Sequence, residues 1–141
     1  MLCCILQLVL FLFLCVPVVA QHITLPTDGN GVLEFCGDAL AVVDNQPPKI
    51  DQRDLIMHTG WCSGYVGGIV ETYQLGSGVL ADKLDSTETG LMGVCIPNVT
   101  NAQVIRVFVK WLREHPTELH RPSLVLSIEI LRDGFPCHPT K

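Results

Sequence analysis

Apolar residues recur along this chain at helical spacing, and turn-forming residues cut the pattern into four segments. In the first, Leu33, Cys36, Leu40 and Val43 fall near one helical face. Asn30 is placed to cap it, and Pro47 and Pro48 end it because proline cannot continue a helix. In the second, Asp51 is a good N-cap, and Leu55, His58, Cys62, Tyr65, Val66, Ile69 and Tyr73 trace one stripe. Gly76 is a fitting C-terminal stop. Gly60, Gly64 and Gly68 form a second, bare stripe on the same segment. Each interior glycine costs a helix about 1 kcal/mol relative to alanine, so three imply that another backbone packs close against them. From Ser77 to Gly93 the pattern is irregular and acidic, and it reads as a long exposed connection with at most a short helical turn at Val79, Leu80 and Leu84.

The third segment carries the cleanest signal. Thr100 and Gln103 have the spacing of a capping box, and Val104, Val107, Phe108, Trp111 and Leu112 follow on one face. His115-Pro116 ends it. The fourth starts near Pro122, is apolar almost all round, and stops at Gly134, which predicts the central, most buried helix. The pattern holds no convincing strand. It predicts an all-α fold: a small four-to-five-helix domain cross-linked by two disulfides.

The start of the chain changes the picture of where this domain works. Residues 1–20 carry no charged side chain, run apolar from Ile5 to Val16, and close on Pro17 and Val18-Val19-Ala20. That is the layout of a secretory signal peptide, leaving residues 21–141 as the mature domain. The rival reading is a membrane anchor, favoured by the lack of Lys or Arg near Met1. The run is shorter than the roughly 20 apolar residues a bilayer span needs. Removing the leader removes Cys3, Cys4 and Cys15 and leaves Cys36, Cys62, Cys95 and Cys137, an even number as an oxidising compartment requires. A helical hairpin of segments three and four favours a Cys95–Cys137 bridge, leaving Cys36 to join Cys62. Four cysteines allow three pairings, and spacing alone does not exclude the others. The net charge of −5 argues against nucleic acid as a partner.

His58 lies one helical turn before Cys62, the arrangement of a histidine-activated thiolate. An oxidising compartment and the even cysteine count favour a disulfide there instead. His115 and His120, five apart across Pro116, suit one metal poorly, and Glu114 and Glu118 flank a turn as solvated groups. Trp61, Tyr65 and Trp111 read as core rather than ligand platform. Asn98-Val99-Thr100 fits a glycosylation sequon, but Thr100 reads as a cap. No motif for a metal, a phosphate loop or a serine nucleophile occurs, so no catalytic residue and no small-molecule cofactor is expected.

Read together, Cys36, "WCSGYVGGIVE", "CIPNVTNAQVIRVFVKWLREHPTELHRPSL" and the closing "GFPC" make the chain similar to the Rap/Tai family of bacterial immunity proteins. The shared pattern falls on Cys36, on Cys62, Gly64, Tyr65 and Gly67, on Cys95, Pro97 and Gln103, on His115, Pro116 and His120, and on Phe135 to Cys137. An acidic residue that often follows the glycine block is only loosely matched by Glu71. The resemblance implies a periplasmic protein that binds and blocks a peptidoglycan amidase toxin delivered by type VI secretion. It also implies a protruding segment that enters the enzyme's cleft and, in some members, a homodimer. Asp82, Lys83, Asp85 and Glu88 of the irregular connection are the expected polar contacts. Two alternatives stand beside it: a helical envelope protein that binds an unrelated ligand, and a thiol enzyme built on Cys62 and His58.

Overall fold

The computed structural model describes residues 24–84, 91–96 and 98–137. The expected leader, residues 1–20, lies outside them. Four α-helices appear in chain order among the described residues: α1 (Gly29–Val43), α2 (Gln52–Leu84), α3 (Asn101–Glu114) and α4 (Ser123–Gly134). Short 3₁₀ turns occupy Leu91–Gly93 and Pro116–Glu118. The all-α expectation and both disulfides, Cys36–Cys62 and Cys95–Cys137, agree with the structure.

α1 begins earlier than its sequence suggested. Asp28, not Asn30, caps it, because the Asp28 carboxylate accepts from the N–H of Gly31 at 3.0 Å. The helix buries Val32, Phe35, Cys36 and Ala39, while Val43 of the expected stripe is exposed. Its start is also pinned from outside. Gly29 and Asn30 donate their N–H groups to the carbonyls of Arg121 and Leu119, and Ser123 donates to Thr27. The turn between α3 and α4 therefore holds the mouth of α1 in place.

α3 forms as its pattern dictates. The capping box at Thr100 and Gln103 is complete, and Val104, Ile105, Phe108, Val109 and Leu112 are buried. α1 and α2 both pack on α3. The expectation that α4 is the central helix fails. Leu126, Ile130 and Leu131 are buried, but Leu124 is 61% and Val125 41% exposed. α4 packs through one face only, and its remaining apolar residues look outward. α3, with five buried apolar side chains on a single broad face, takes the central place.

The Cys95–Cys137 bridge closes the hairpin of α3 and α4. Cys95 donates its N–H to the carbonyl of Phe135, and Cys137 donates to Gly93, so two backbone bonds flank the cross-link. Arg121 braces the other end of the hairpin. It is bidentate to Glu129, at 2.6 and 2.8 Å, and reaches Glu118 at 2.8 Å. Glu118 is thus an ion-pair partner rather than a merely solvated group.

α2 corrects two expectations. Gly76 does not stop it: the helix runs to Leu84. The glycine instead makes room, since a Cβ there would lie 2.9 Å from Leu91 Cδ2. Gly60, Gly64 and Gly68 do not admit a neighbouring backbone either. A Cβ at any of the three would meet nothing within 4 Å, so no internal packing explains them.

Loop-closure entropy assigns the 26-residue Cys36–Cys62 separation about 3.5 kcal/mol and the 42-residue Cys95–Cys137 separation about 4 kcal/mol. Cys36 and Cys62 are fully buried whereas Cys95 is exposed, so mild dithiothreitol should open Cys95–Cys137 first. Alkylation and mass mapping under graded reductant check the order. Among the glycines, Gly64→Ala should raise stability by about 0.5–1 kcal/mol in denaturant melts. Gly29→Ala should lower it by about 1 kcal/mol or more, because its Cβ would lie 2.9 Å from backbone atoms of Leu119.

Candidate functional site

The residue pair that most resembles chemistry is His58 and Cys62, one turn apart on the core side of α2. Cys62 is bonded to Cys36, and both are 0% exposed, so Cys62 offers no thiolate. That removes the thiol-enzyme reading. His58 is 7% exposed, and its Nδ1 lies 2.7 Å from Asp38 Oδ2 on α1. Its ring stacks on Phe35 with centroids 3.7 Å apart, and Trp61 meets Phe35 edge-on at 5.4 Å. The result is a carboxylate–imidazole pair whose nearest cysteine is closed in a disulfide. It cross-links α1 to α2 just below their disulfide.

The remaining candidates from the sequence are spread over the body. Trp61 stacks on Tyr65 at 4.7 Å, and the Tyr65 hydroxyl lies 2.9 Å from Ser127 Oγ, tying α2 to α4. Trp111 donates from Nε1 to Asp133 at 2.9 Å, and His115 stacks on its ring at 3.9 Å. His115 also places Nδ1 2.8 Å from the Trp111 carbonyl, and His120 is exposed in the following turn. Among the described residues no three His, Cys, Asp or Glu side chains gather to hold a metal ion.

Two open grooves flank α2. One, of about 700 Å³, lies at its first turns, beside α1 and the segment from Thr24 to Asp28. The other, of about 550 Å³, is lined by Gly64, Gly67, Gly68, Glu71 and Gln74 of α2, with Asn98 and Asn101 on the rim toward the start of α3. Asn101 fixes that rim by donating to the carbonyl of Ser63 at 3.0 Å.

The far end of α2 is shaped differently. The helix has 33 residues, about 50 Å, against 12–15 for its neighbours. The returning chain meets it at Gly76 and Ser77, where Leu91 packs and donates its N–H to Ser77 Oγ. From Gly78 to Leu84 the helix continues about 10 Å further. Leu75, Val79 and Met92 around this point are 72%, 55% and 58% exposed. Met92 sits in the left-handed region at φ 55°, an unusual place for a long side chain. Asp82 and Lys83 fall on the last turn of α2. Asp85 and Glu88 lie outside the described residues.

Sequence reasoning missed Asp38 and the overhang. No linear spacing joins Asp38 to His58, twenty positions away on another helix. The overhang was hidden by reading Gly76 as a terminator, although Val79, Leu80 and Leu84 kept helical spacing beyond it.

Helices stapled by two disulfides, with the His58 imidazole paired to Asp38 and the Cys62 sulfur held in a bridge, define a small cross-linked helical domain. The Rap1a immunity protein family matches over residues 28–137, most of the chain, and the protein belongs to that family. No curated protein and no solved structure matches the chain significantly.

Asp28, on the wall of the first groove, yields a pH prediction. The Gly31 N–H holds its carboxyl below the ordinary 3.8, outweighing the opposite effect of burial. A depressed native value means that its stabilisation is complete above the unfolded value and is lost as pH falls through the native one. Asp28→Asn caps without titrating. It should match the wild type at neutral pH and lose less stability below about pH 4, by circular-dichroism melts at graded pH.

Proposed function

We propose that this protein is a periplasmic immunity protein that binds and occludes a peptidoglycan amidase toxin delivered by type VI secretion. The observation that carries the reading is the overhang of α2. A helix that runs on past its contact with Leu91, with exposed apolar residues at that point, is a shape suited to a concave partner. Family membership supplies the class of function. Leader residues 1–20 would export the chain, and the two disulfides suit an oxidising compartment.

In this reading the protein acts by filling the cleft, without chemistry of its own. The disulfides and the packed helices would fix the body of α2 before the partner arrives, so that less ordering entropy is lost on binding. Asp82, Lys83, Asp85 and Glu88 would supply polar contacts, and Leu75, Val79 and Met92 the apolar ones. A second copy of the chain could share the complex without altering this contact.

The test uses purified peptidoglycan and any cysteine amidase found encoded beside this chain. Equimolar protein should abolish hydrolysis. Asp82→Lys with Lys83→Glu should weaken inhibition about tenfold or more while leaving the melting temperature within a degree or two. Equal inhibition by the charge-reversed tip would place the contact elsewhere. No complex with the amidase would remove the toxin reading altogether.

A further inference from the structure

Tyr73 is 6% exposed, yet its hydroxyl meets a poor partner. Among the described residues that partner is the thioether of Met92 alone, with Tyr73 Oη donating to Sδ at 3.8 Å. A thioether is a weak acceptor, whereas a hydroxyl donating to oxygen closes to about 2.7–2.8 Å. Burial raises the Tyr73 phenol above its ordinary value, so it keeps its proton and stays a donor at neutral pH. Met92 itself is placed by its backbone. Arg132 Nε donates to its carbonyl at 3.3 Å, and the next carbonyl, of Gly93, accepts from the N–H of Cys137. The residue sits at φ 55°, a conformation that long side chains rarely adopt, and it is 58% exposed. Met92 thus stands between a buried donor and solvent.

We propose that Met92 is an oxidation site and that Tyr73 is the donor that receives its sulfoxide oxygen. The oxidant is hydrogen peroxide. One lone pair of Sδ faces Tyr73, and the other is free to attack the near oxygen of the peroxide. The S–O bond forms as the O–O bond breaks. Sulfur loses two electrons, and the distal oxygen leaves as hydroxide and takes the proton of the transferred oxygen, giving water. Three rotatable bonds then let the side chain turn the new oxygen toward Tyr73. A strong acceptor replaces a weak one, so the buried hydroxyl gains the partner it lacks. Met57, the other methionine among the described residues, is part-buried and has no hydroxyl donating to its sulfur. Oxidation turns Met92 from apolar to polar at the base of the overhang. On the reading that the overhang fills a partner's cleft, it would weaken that contact, but the site does not depend on that reading.

The test treats the folded, disulfide-bonded protein with millimolar hydrogen peroxide at neutral pH. Trypsin cuts at Arg53, Lys83 and Arg106 and so separates Met57 from Met92 for mass mapping. Met92 should oxidise about fivefold faster than Met57 or more. Oxidation should leave the melting temperature of the wild type unchanged or raise it, and should lower that of Tyr73→Phe by about 3 °C or more. Met92→Leu should show no peroxide-dependent shift in either direction. Oxidation of Met57 at an equal or greater rate, or an equal shift in the wild type and Tyr73→Phe, would overturn the site. The rate comparison needs only the wild type, so it decides even where Tyr73→Phe folds poorly. No toxin enters these measurements, and the two readings fail separately.

Discussion

The Cys36–Cys62 disulfide joins α1 to α2 where both are fully buried, with Cα atoms 5.1 Å apart. Its consequence is register. A helix as long as α2 could slide along a short partner by a turn and still bury much of its stripe. The covalent link forbids that slide, and the Asp38–His58 contact and the Phe35–His58 stack repeat the constraint one turn away. Once the register is set, the groove at the beginning of α2 and the overhang at its end follow from helix length alone.

The second cross-link works on a different element. Cys95–Cys137 and its two flanking backbone bonds hold the open end of the α3–α4 hairpin, and Arg121 with Glu118 and Glu129 holds the turn. The turn also receives the start of α1 through Leu119 and Arg121. The hairpin is therefore the platform on which α1 is seated, and α1 is the platform for α2. Burial gives this stack its cohesion, with Phe108, Leu112, Leu126 and Ile130 at its centre. The disulfides restrict the unfolded chain and so deepen a fold that burial already favours.

How much of this could be read from the sequence varied with the kind of signal. α3 was legible because its cap and its apolar period are local, and both survive in the structure. The cysteine pairing was legible because chain direction decides which helix ends meet. The burial of α4 was misjudged because apolar content does not say how many sides of a helix find neighbours. Gly76 was misjudged because a helix-stopping glycine and a glycine making room for Leu91 look identical in sequence. The groove at the first turns of α2 was illegible because Glu34, Phe35, Asp54 and His58 come together only through the packing of α1 on α2.

The open glycines remain the point at which sequence and structure disagree most. Gly60, Gly64 and Gly68 weaken α2 without relieving any internal crowding. Gly64 and Gly68 line a groove together with Glu71, Gln74, Asn98 and Asn101. Folding alone would favour alanine at all three positions. The backbone they expose runs between the groove at one end of α2 and the overhang at the other. A partner spanning both ends would pass along this helix, and bare backbone is the surface that lets another chain approach most closely. Stability surrendered along α2 is then consistent with a helix shaped for contact over its whole length rather than at its tip alone.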